Sequence, residues 1–363
     1  MIKLFLKAAS VLLLAFLTYG LMVFAVFFCL PYMDSGDYMS AILDKDRLLR
    51  DTPSPKIVFV GASNLAFGLD SERVQSAMHL PVVNLGLHGG IGLKFMLDST
   101  RPYVKKGDTV VLVPEYEEFF GERHYGEAPL LNALHLSREG WRYIDSIQQY
   151  RVIWRYALTE MKDTIHAMYK RSSSSGKIYS RKSFNHFGDM VAHLKENPRK
   201  IESYGVPLGN EKFNDRVLGD LEKFREYSEG NGAAVLILSP SIAESAFKMN
   251  PAAIREVYDR IRAYGGLGAI QKSTPEDYVF PDNCFFDTAY HLTGTCRETR
   301  TEKVITTLRE ITEPGKPVPF VPRTSCPSCG PAASDRRYPT PLRIRPDRGS
   351  RRGGLPHRGT RGR

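Results

Sequence analysis

Four short apolar runs alternate with amphipathic stretches in the middle of the chain. The runs are 56–60, 81–85, 109–113 and 233–238, and the amphipathic stretches are 71–78, 93–104, 217–227 and 251–264. The runs are rich in β-branched residues and are bounded by Pro, Gly or polar residues, which is typical of buried strands. Because helix-sized stretches separate them, the pattern predicts an α/β fold with a doubly wound parallel sheet. Such a sheet binds ligands beyond the carboxyl ends of its strands, so we expect functional residues directly after each run.

A longer apolar stretch at the start of the chain predicts a transmembrane helix. Residues 8 to 30 carry no charge, and a helix of that length spans about 34 Å, enough for the hydrocarbon core of a bilayer. Two lysines precede the stretch and two aspartates follow it. The positive-inside bias therefore predicts a cytoplasmic N-terminus and a periplasmic or otherwise extracytoplasmic domain. A cleaved signal peptide is the competing interpretation, but the stretch is longer than a usual signal sequence and lacks a small-residue cleavage pattern.

The basic charge of the chain lies mainly in its C-terminal tail. The formal net charge is +10, and residues 313 to 363 hold twelve Lys and Arg against three acidic residues, a net of +9. The rest is near +1, which argues against a basic groove and a nucleic-acid partner. The tail mixes Pro, Arg and Gly without apolar periodicity, so we expect it to be disordered. Its Cys326 and Cys329 form a CxxC without a second metal-ligand pair, so we predict neither a metal nor a cofactor.

Residues 125 to 215 interrupt the alternation of strands and helices. They contain helical patterns and, within residues 151 to 200, eleven Lys and Arg against four Asp and Glu. We interpret them as a helical insertion, either a solvated segment near anionic headgroups or a cover that helps to hold an acidic or polyhydroxyl substrate. The predicted organisation is an anchor over 1–31, one domain over 32–312 and a tail over 313–363.

A serine and a glycine-rich turn follow the first two predicted strands. Ser63 lies in Gly61-Ala62-Ser63-Asn64, where a sharp turn would present its hydroxyl at the sheet edge and aim its backbone N–H at a developing oxyanion. Gly86 opens a turn that ends at Gly92, and the missing Cβ lets its N–H approach a ligand as a second donor. A nucleotide-binding turn is the alternative for the first motif. We expect a structural or exposed position for His88.

An aspartate and a histidine near the end of the domain provide what a serine nucleophile requires. Asp287 and His291 lie on one predicted loop before the last helix. A serine hydroxyl is a poor nucleophile near neutral pH and needs an imidazole within about 3 Å, itself oriented by a carboxylate. In a doubly wound sheet this loop lies beside the first strand. We therefore predict Ser63 as nucleophile, His291 as general base and Asp287 as the group that orients the base.

At these positions the chain resembles the SGNH, or GDSL-type, hydrolases. Residues 61–64 look like a variant of their Gly-Asp-Ser block, Gly86 falls at their oxyanion glycine, and residues 287–291 resemble their last block. The resemblance covers about 55–120 and 230–312. Within the family, the chain is similar to membrane-anchored, outward-facing members of cell-surface polysaccharide and cell-wall modification systems, including alginate O-acetylation and D-alanine transfer proteins. The resemblance implies a flavodoxin-like three-layer fold and ester chemistry through a seryl intermediate.

Three features depart from the family pattern. Ala62 replaces the Asp of the first block, and three residues rather than two separate Asp287 from His291. The third block of the family brings an Asn to the oxyanion hole, whereas Glu115 follows the third predicted strand. A carboxylate there would disfavour an oxyanion unless it were protonated or turned away. Two side chains are candidates to replace the missing amide: Asn64 and Asn185.

The sequence therefore predicts a membrane-anchored serine esterase or O-acyltransferase that acts on acyl esters, foremost acetyl esters, of a cell-surface polysaccharide. Its expected partners are the membrane, the glycan and a membrane protein that supplies the acyl donor. The alternative is a catalytically inactive SGNH-like scaffold that binds polysaccharide or partner membrane proteins through the insertion. A nucleotide or flavin binder is a weaker third interpretation, because no phosphate-cradling turn is complete.

Overall fold

All four predicted strands form in the computed structural model, which describes residues 1–25, 27, 36–169, 178–198 and 208–312. They are β1 (Ile57–Gly61), β2 (Val82–Asn84), β3 (Thr109–Val113) and β4 (Ala234–Ile237). The strands pair in parallel in the order β2-β1-β3-β4. The prediction of an α/β fold with a parallel sheet is confirmed.

Helices cover this sheet because β1 and β3 are buried along their whole length and both faces of such strands need apolar cover. The predicted amphipathic stretches all form helices, and the stretch at 93–104 ends as a 3₁₀ turn after residue 100. The helices are α1 (Ile2–Phe24), α2 (Ile42–Asp51), α3 (Ser63–Gly68), α4 (Ser71–Met78), α5 (Leu93–Thr100), α6 (Ala128–Leu136), α7 (Ile147–Tyr169), α8 (Arg216–Gly230), α9 (Glu244–Met249), α10 (Pro251–Ala263), α11 (Leu267–Ile270) and α12 (Gly294–Thr312).

A second, two-stranded sheet was not predicted. It pairs β5 (Ile242–Ala243) with β6 (Val279–Phe280) in parallel. Two residues are too few to show a strand periodicity in the sequence, so no pattern could have indicated these strands.

The N-terminal helix α1 has 23 residues, none of them buried, and is long and apolar enough to cross a membrane. It begins at Ile2, six residues before the predicted stretch. The predicted end of the stretch near residue 30 lies outside the described residues, as do the predicted tail over 313–363 and its Cys326 and Cys329.

A buried aspartate joins the described part of the predicted insertion to the sheet. The side chain of Asp189 is inaccessible to solvent. Its carboxylate accepts hydrogen bonds from the backbone N–H and hydroxyl of Ser71 at 2.9 and 2.5 Å and from the amide of Asn84 at 2.8 Å. It also pairs with the guanidinium of Arg297 at 3.1 Å. One carboxylate thereby connects α4, the end of β2 and α12.

Backbone hydrogen bonds hold the same segment against β2, an edge strand of the sheet. The N–H of Asn84 donates to the carbonyl of Phe187, and the N–H of Met190 donates to the carbonyl of Ala66 in α3. The buried ammonium of Lys45 donates to the carbonyls of both Asn84 and Gly188. Residues 187–190 therefore cover a strand edge that would otherwise expose unpaired backbone groups.

Replacing Asp189 with Asn should lower the free energy of unfolding by about 3 to 5 kcal/mol, because the buried guanidinium of Arg297 loses its closest and only fully buried counter-charge among the described residues. Denaturant unfolding of the full chain in detergent measures this loss. The matched control Glu244→Gln removes an exposed ion pair with Lys248 and should cost less than about 1 kcal/mol. Equal losses in the two variants would contradict the connecting role of Asp189.

Candidate functional site

Ser63 is the first residue of α3 and follows β1 after a single extended residue, Ala62. Gly61 is required at the end of β1, because a Cβ there would lie 2.5 Å from a backbone oxygen of β3. Ser63 is partly exposed, whereas the rest of α3 is buried. The backbone N–H of a residue in the first turn has no acceptor within its own helix. The hydroxyl and N–H of Ser63 therefore lie at the carboxyl edge of the sheet.

Asp287 and His291 form a buried pair. Oδ1 of Asp287 lies 2.7 Å from Nδ1 of His291, and the two residues are 8% and 6% exposed. The third intervening residue therefore does not prevent their hydrogen bond. The other carboxylate oxygen, Oδ2, accepts a hydrogen bond from the hydroxyl of Tyr179 at 2.5 Å. A carboxylate at Nδ1 orients the imidazole and leaves Nε2 as the nitrogen for proton transfer.

A short hairpin holds this pair in place. Phe285 and Leu292 form an antiparallel bridge, and the N–H of Phe286 donates to the carbonyl of His291 at 2.7 Å. A disulfide between Cys284 and Cys296 joins the start of the hairpin to the first turns of α12. The five scattered cysteines of the sequence gave no signal for this pairing.

Phe67 brings the imidazole to the helix of Ser63. The rings of Phe67 and His291 stack with centroids 3.8 Å apart and planes 6° from parallel. Phe67 follows Ser63 by four residues, so the two side chains lie on one face of α3 with their Cβ atoms about 5–6 Å apart. The imidazole therefore lies over the face of α3 that carries Ser63. Within the described residues, however, no hydrogen bond joins the Ser63 hydroxyl to His291.

The hydroxyl of Ser63 donates instead to Glu115, which faces the serine rather than turning away. Oε1 of Glu115 accepts from this hydroxyl at 3.2 Å, from the backbone N–H of Asn64 at 3.0 Å and from the Asn64 side-chain amide at 3.3 Å. Burial, together with the charge of the nearby Glu117, raises the pKa of Glu115 to about 7. The hydrogen bonds from Asn64 and Ser63 act in the opposite direction. One carboxylate oxygen thus accepts three hydrogen bonds, one from the candidate nucleophile and two from the adjacent Asn64.

Gly86 and Asn64, two predicted oxyanion donors, have partners elsewhere. The N–H of Gly86 donates to Oδ1 of Asn84 at 2.9 Å, and a Cβ on Gly86 would lie 2.5 Å from a side-chain carbon of α3. The side-chain amide of Asn64 donates to Val113 and Glu115, and its oxygen accepts from Arg300. The glycine therefore permits close packing between the turn and α3, and neither group is free to hold an oxyanion in this arrangement.

The described hydrogen bonds of the Asn185 side chain lie within its own turn. Its oxygen accepts from the backbone N–H groups of Phe187 and Asp189 at 3.0 and 2.9 Å, and its amide nitrogen donates to the carboxylate of Asp189 at 3.4 Å. This local pattern is a usual role of Asn in loops, so the amide is engaged there, and its role as a replacement oxyanion donor stays a prediction. His88 is exposed and its Nδ1 accepts from the N–H of Gly90, which agrees with the structural position expected for it.

Three residues near the pair were not identified from the sequence. Tyr179 reaches Asp287 from 108 positions away, and no local pattern indicates such a contact. Tyr290 donates to Glu117 at 2.6 Å and ties the hairpin to the segment after β3. Phe67 alone had a usable signal, its helical spacing from Ser63. Within the described residues, no group of three or more metal-ligating side chains is found.

No family model matches the chain, and no curated protein shows significant similarity to it.

The pH dependence of stability tests the environment of Glu115. Its pKa is raised from 4.5 to about 7, so the folded state holds the proton more tightly than the unfolded state does. The favourable contribution of Glu115 to the free energy of unfolding is therefore fully present below pH 4.5 and is lost as the pH rises through about 7. Because Glu115→Gln stays neutral, its free energy of unfolding relative to that of wild type should rise across this window, by at most about 3 kcal/mol.

Unfolding of both proteins in detergent between pH 4 and pH 9 provides the measurement. Glu72→Gln, a change at an exposed position of α4, is the control and should show no such trend. A stability difference between Glu115→Gln and wild type that is constant with pH would contradict this environment.

Proposed function

We propose that this protein is a membrane-anchored serine esterase or O-acyltransferase that acts on acyl esters, foremost acetyl esters, of a cell-surface polysaccharide. The observation that carries the proposal is the Asp287–His291 pair, hydrogen-bonded at 2.7 Å and stacked on Phe67 one helical turn from Ser63. The strand order β2-β1-β3-β4 also supports it, because flavodoxin-like sheets begin with this order and the SGNH resemblance implies such a sheet.

In this proposal Oγ of Ser63 attacks the ester carbonyl carbon while its proton passes to Nε2 of His291. Asp287 holds the Nδ1–H and stabilises the imidazolium, and Tyr179 fixes the second oxygen of Asp287. The bond to the leaving alcohol then breaks, and His291 returns the proton to the alcohol oxygen. Water or a glycan hydroxyl attacks the acyl-serine by the same steps, which gives hydrolysis or transfer.

The oxyanion requires a rearrangement at Glu115. The backbone N–H of Ser63 is the first donor, and the N–H of Asn64 becomes a second one once a substrate oxygen displaces Oε1 of Glu115. Displacement is easier when Glu115 is protonated, because a carboxylate beside an oxyanion is repulsive. The loss of one oxyanion donor costs on the order of 10²-fold in rate. We therefore propose slow acyl chemistry.

The proposed location is outside the cytoplasm, with α1 crossing the membrane. Disulfides form and persist in oxidising compartments, and the bond between Cys284 and Cys296 supports such a location for the domain. The positive-inside bias of the first residues favours the same orientation. A glycan ester of the cell envelope would meet the site on that side.

A catalytically inactive scaffold is the second candidate. It is favoured by the Ser63 hydroxyl, which donates to Glu115 and not to His291, and by the engaged donors of Gly86 and Asn64. A scaffold would keep the fold and the glycan contacts while the hydroxyl stays unreactive.

Reaction of the full chain in detergent with a tagged fluorophosphonate and with a small acetyl ester separates the two candidates. We expect labelling and turnover in wild type and neither in Ser63→Ala, since the probe reacts with an activated serine. His291→Asn should slow labelling by roughly 10²- to 10⁴-fold, because the general base is lost. Ser76→Ala, at an exposed position of α4, is the matched control and should label like wild type.

Two results would overturn the proposed chemistry. Labelling that persists in Ser63→Ala would exclude Ser63 as the nucleophile. A folded wild-type chain that neither labels nor turns over the ester would favour the scaffold.

A further inference from the structure

Exposed apolar side chains of the folded domain are concentrated on one helix. Outside α1, the described residues include seven large apolar side chains that are exposed, and four of them lie on α7: Ile147, Tyr150, Trp154 and Leu158. The other three belong to separate elements: Tyr227, Met249 and Tyr264. Isolated exposed apolar residues are normal. The α7 residues follow one another at intervals of three, four and four, so they form one continuous stripe on one face.

A neighbouring face of α7 is buried in the domain. Val152, Ile153 and Ala157 are at most 5% exposed, and α7 packs on α6. The helix is therefore fixed to the domain by one apolar face while it presents a second one outward. Although α1 contacts Trp154, all four side chains of the stripe remain exposed, and an exposed apolar patch of this kind marks an interaction surface.

Positive charge borders this stripe. Three basic side chains of α7 are exposed: Arg151, Arg155 and Lys162. At 100° per residue around the helix axis, they lie about 40° to 80° from Ile147 and thus beside the stripe. Arg155 also lies 3.7 Å from Glu122. No acidic residue is exposed between positions 147 and 162 of α7. A helix with an apolar and aromatic stripe next to basic residues is typical of the surface of an anionic bilayer.

The contact with α1 places α7 beside the candidate membrane helix. Tyr19 donates to the carbonyl of Trp154 at 2.6 Å, and the Trp154 ring lies 4.1 Å from that of Tyr19 and 4.9 Å from that of Phe16. Within the described residues, α1 is the helix that is long and apolar enough to cross a membrane. The apolar stripe of α7 therefore lies next to the element that would enter the bilayer, and a helix with such a stripe contacts a bilayer along its surface.

We propose that α7 is a second membrane-contacting element, with the stripe from Ile147 to Leu158 seated at the headgroup boundary of an anionic bilayer next to α1. This inference rests on the proposed membrane crossing of α1 and is independent of the ester chemistry. Two attachments, one across the bilayer and one on its surface, would hold the domain in one orientation. The site at Ser63 would then stay at a constant distance from the membrane.

Tryptophan fluorescence tests this placement directly, because the chain has only two Trp. The Trp141→Phe variant of the full chain, reconstituted in phosphatidylcholine and phosphatidylglycerol vesicles, reports on Trp154 alone. We expect bromines near the headgroup end of the acyl chains to quench Trp154 more strongly than bromines near the bilayer centre. Aqueous iodide should have little effect.

Two double variants in the Trp141→Phe background compare the stripe with a matched control surface. Ile147→Asp with Leu158→Asp, both at exposed positions of the stripe, should weaken quenching by brominated lipid. Met249→Asp with Tyr264→Asp, at exposed positions away from α7, should leave it unchanged. Equal quenching in both pairs would contradict the role of the stripe.

A separate reporter distinguishes failure of this inference from failure of the anchor. Leu13→Trp in a chain with Trp141→Phe and Trp154→Phe reports on α1 alone. If this reporter is quenched by brominated lipid and Trp154 is not, the proposed surface of α7 is wrong. Trp154 shielded from both lipid bromines and iodide would indicate a protein partner and would also overturn it. If neither Trp is quenched, both the crossing and this inference fail, while labelling of Ser63 tests the ester chemistry independently.

Discussion

The buried carboxylate of Asp189 is the interaction on which the arrangement of the site depends. It joins Ser71 at the start of α4, Asn84 at the end of β2 and Arg297 in α12. A carboxylate without solvent is tolerated only when charge and hydrogen bonds compensate it, so these elements must meet at one point. Arg297 also donates to the carbonyl of Leu69, which ties α12 to the chain just after α3.

Two elements that contribute to the candidate site are attached at this junction. The segment 178–198 carries both Asp189 and Tyr179, whose hydroxyl donates to Asp287, and His291 lies on the hairpin that directly precedes α12. The junction therefore holds together the elements that bring the Tyr179 hydroxyl to Asp287 and the His291 imidazole to Phe67. The disulfide from Cys284 to Cys296 restricts the hairpin further, so its position over α3 is constrained from both ends.

The strands could be predicted from the sequence, because each depends on local pattern. Runs such as 109–113 are mostly apolar and β-branched. The sequence also predicted Ser63, Asp287 and His291 as a triad, and the structure pairs Asp287 with His291, whereas their joint action with Ser63 stays a prediction. The partners of individual polar groups could not be predicted. Whether Glu115 turns toward Ser63, or the amide of Asn185 turns into its own loop, depends on rotamers and on neighbours distant in sequence. The hydroxyl that reaches Asp287 comes from a segment whose amino acids carry no periodic signal.

The central claim is that the hydroxyl of Ser63 and the imidazole of His291 act on one substrate carbonyl. A crystal structure of the full chain after reaction with a fluorophosphonate tests this most directly. The account predicts a phosphorus atom bonded to Oγ of Ser63, with Nε2 of His291 within hydrogen-bonding reach, about 3 Å, of that oxygen or of the leaving-group position. It also predicts Glu115 displaced from the N–H of Asn64. A phosphonyl group on another residue, or an imidazole that faces away from a modified Ser63, would contradict it.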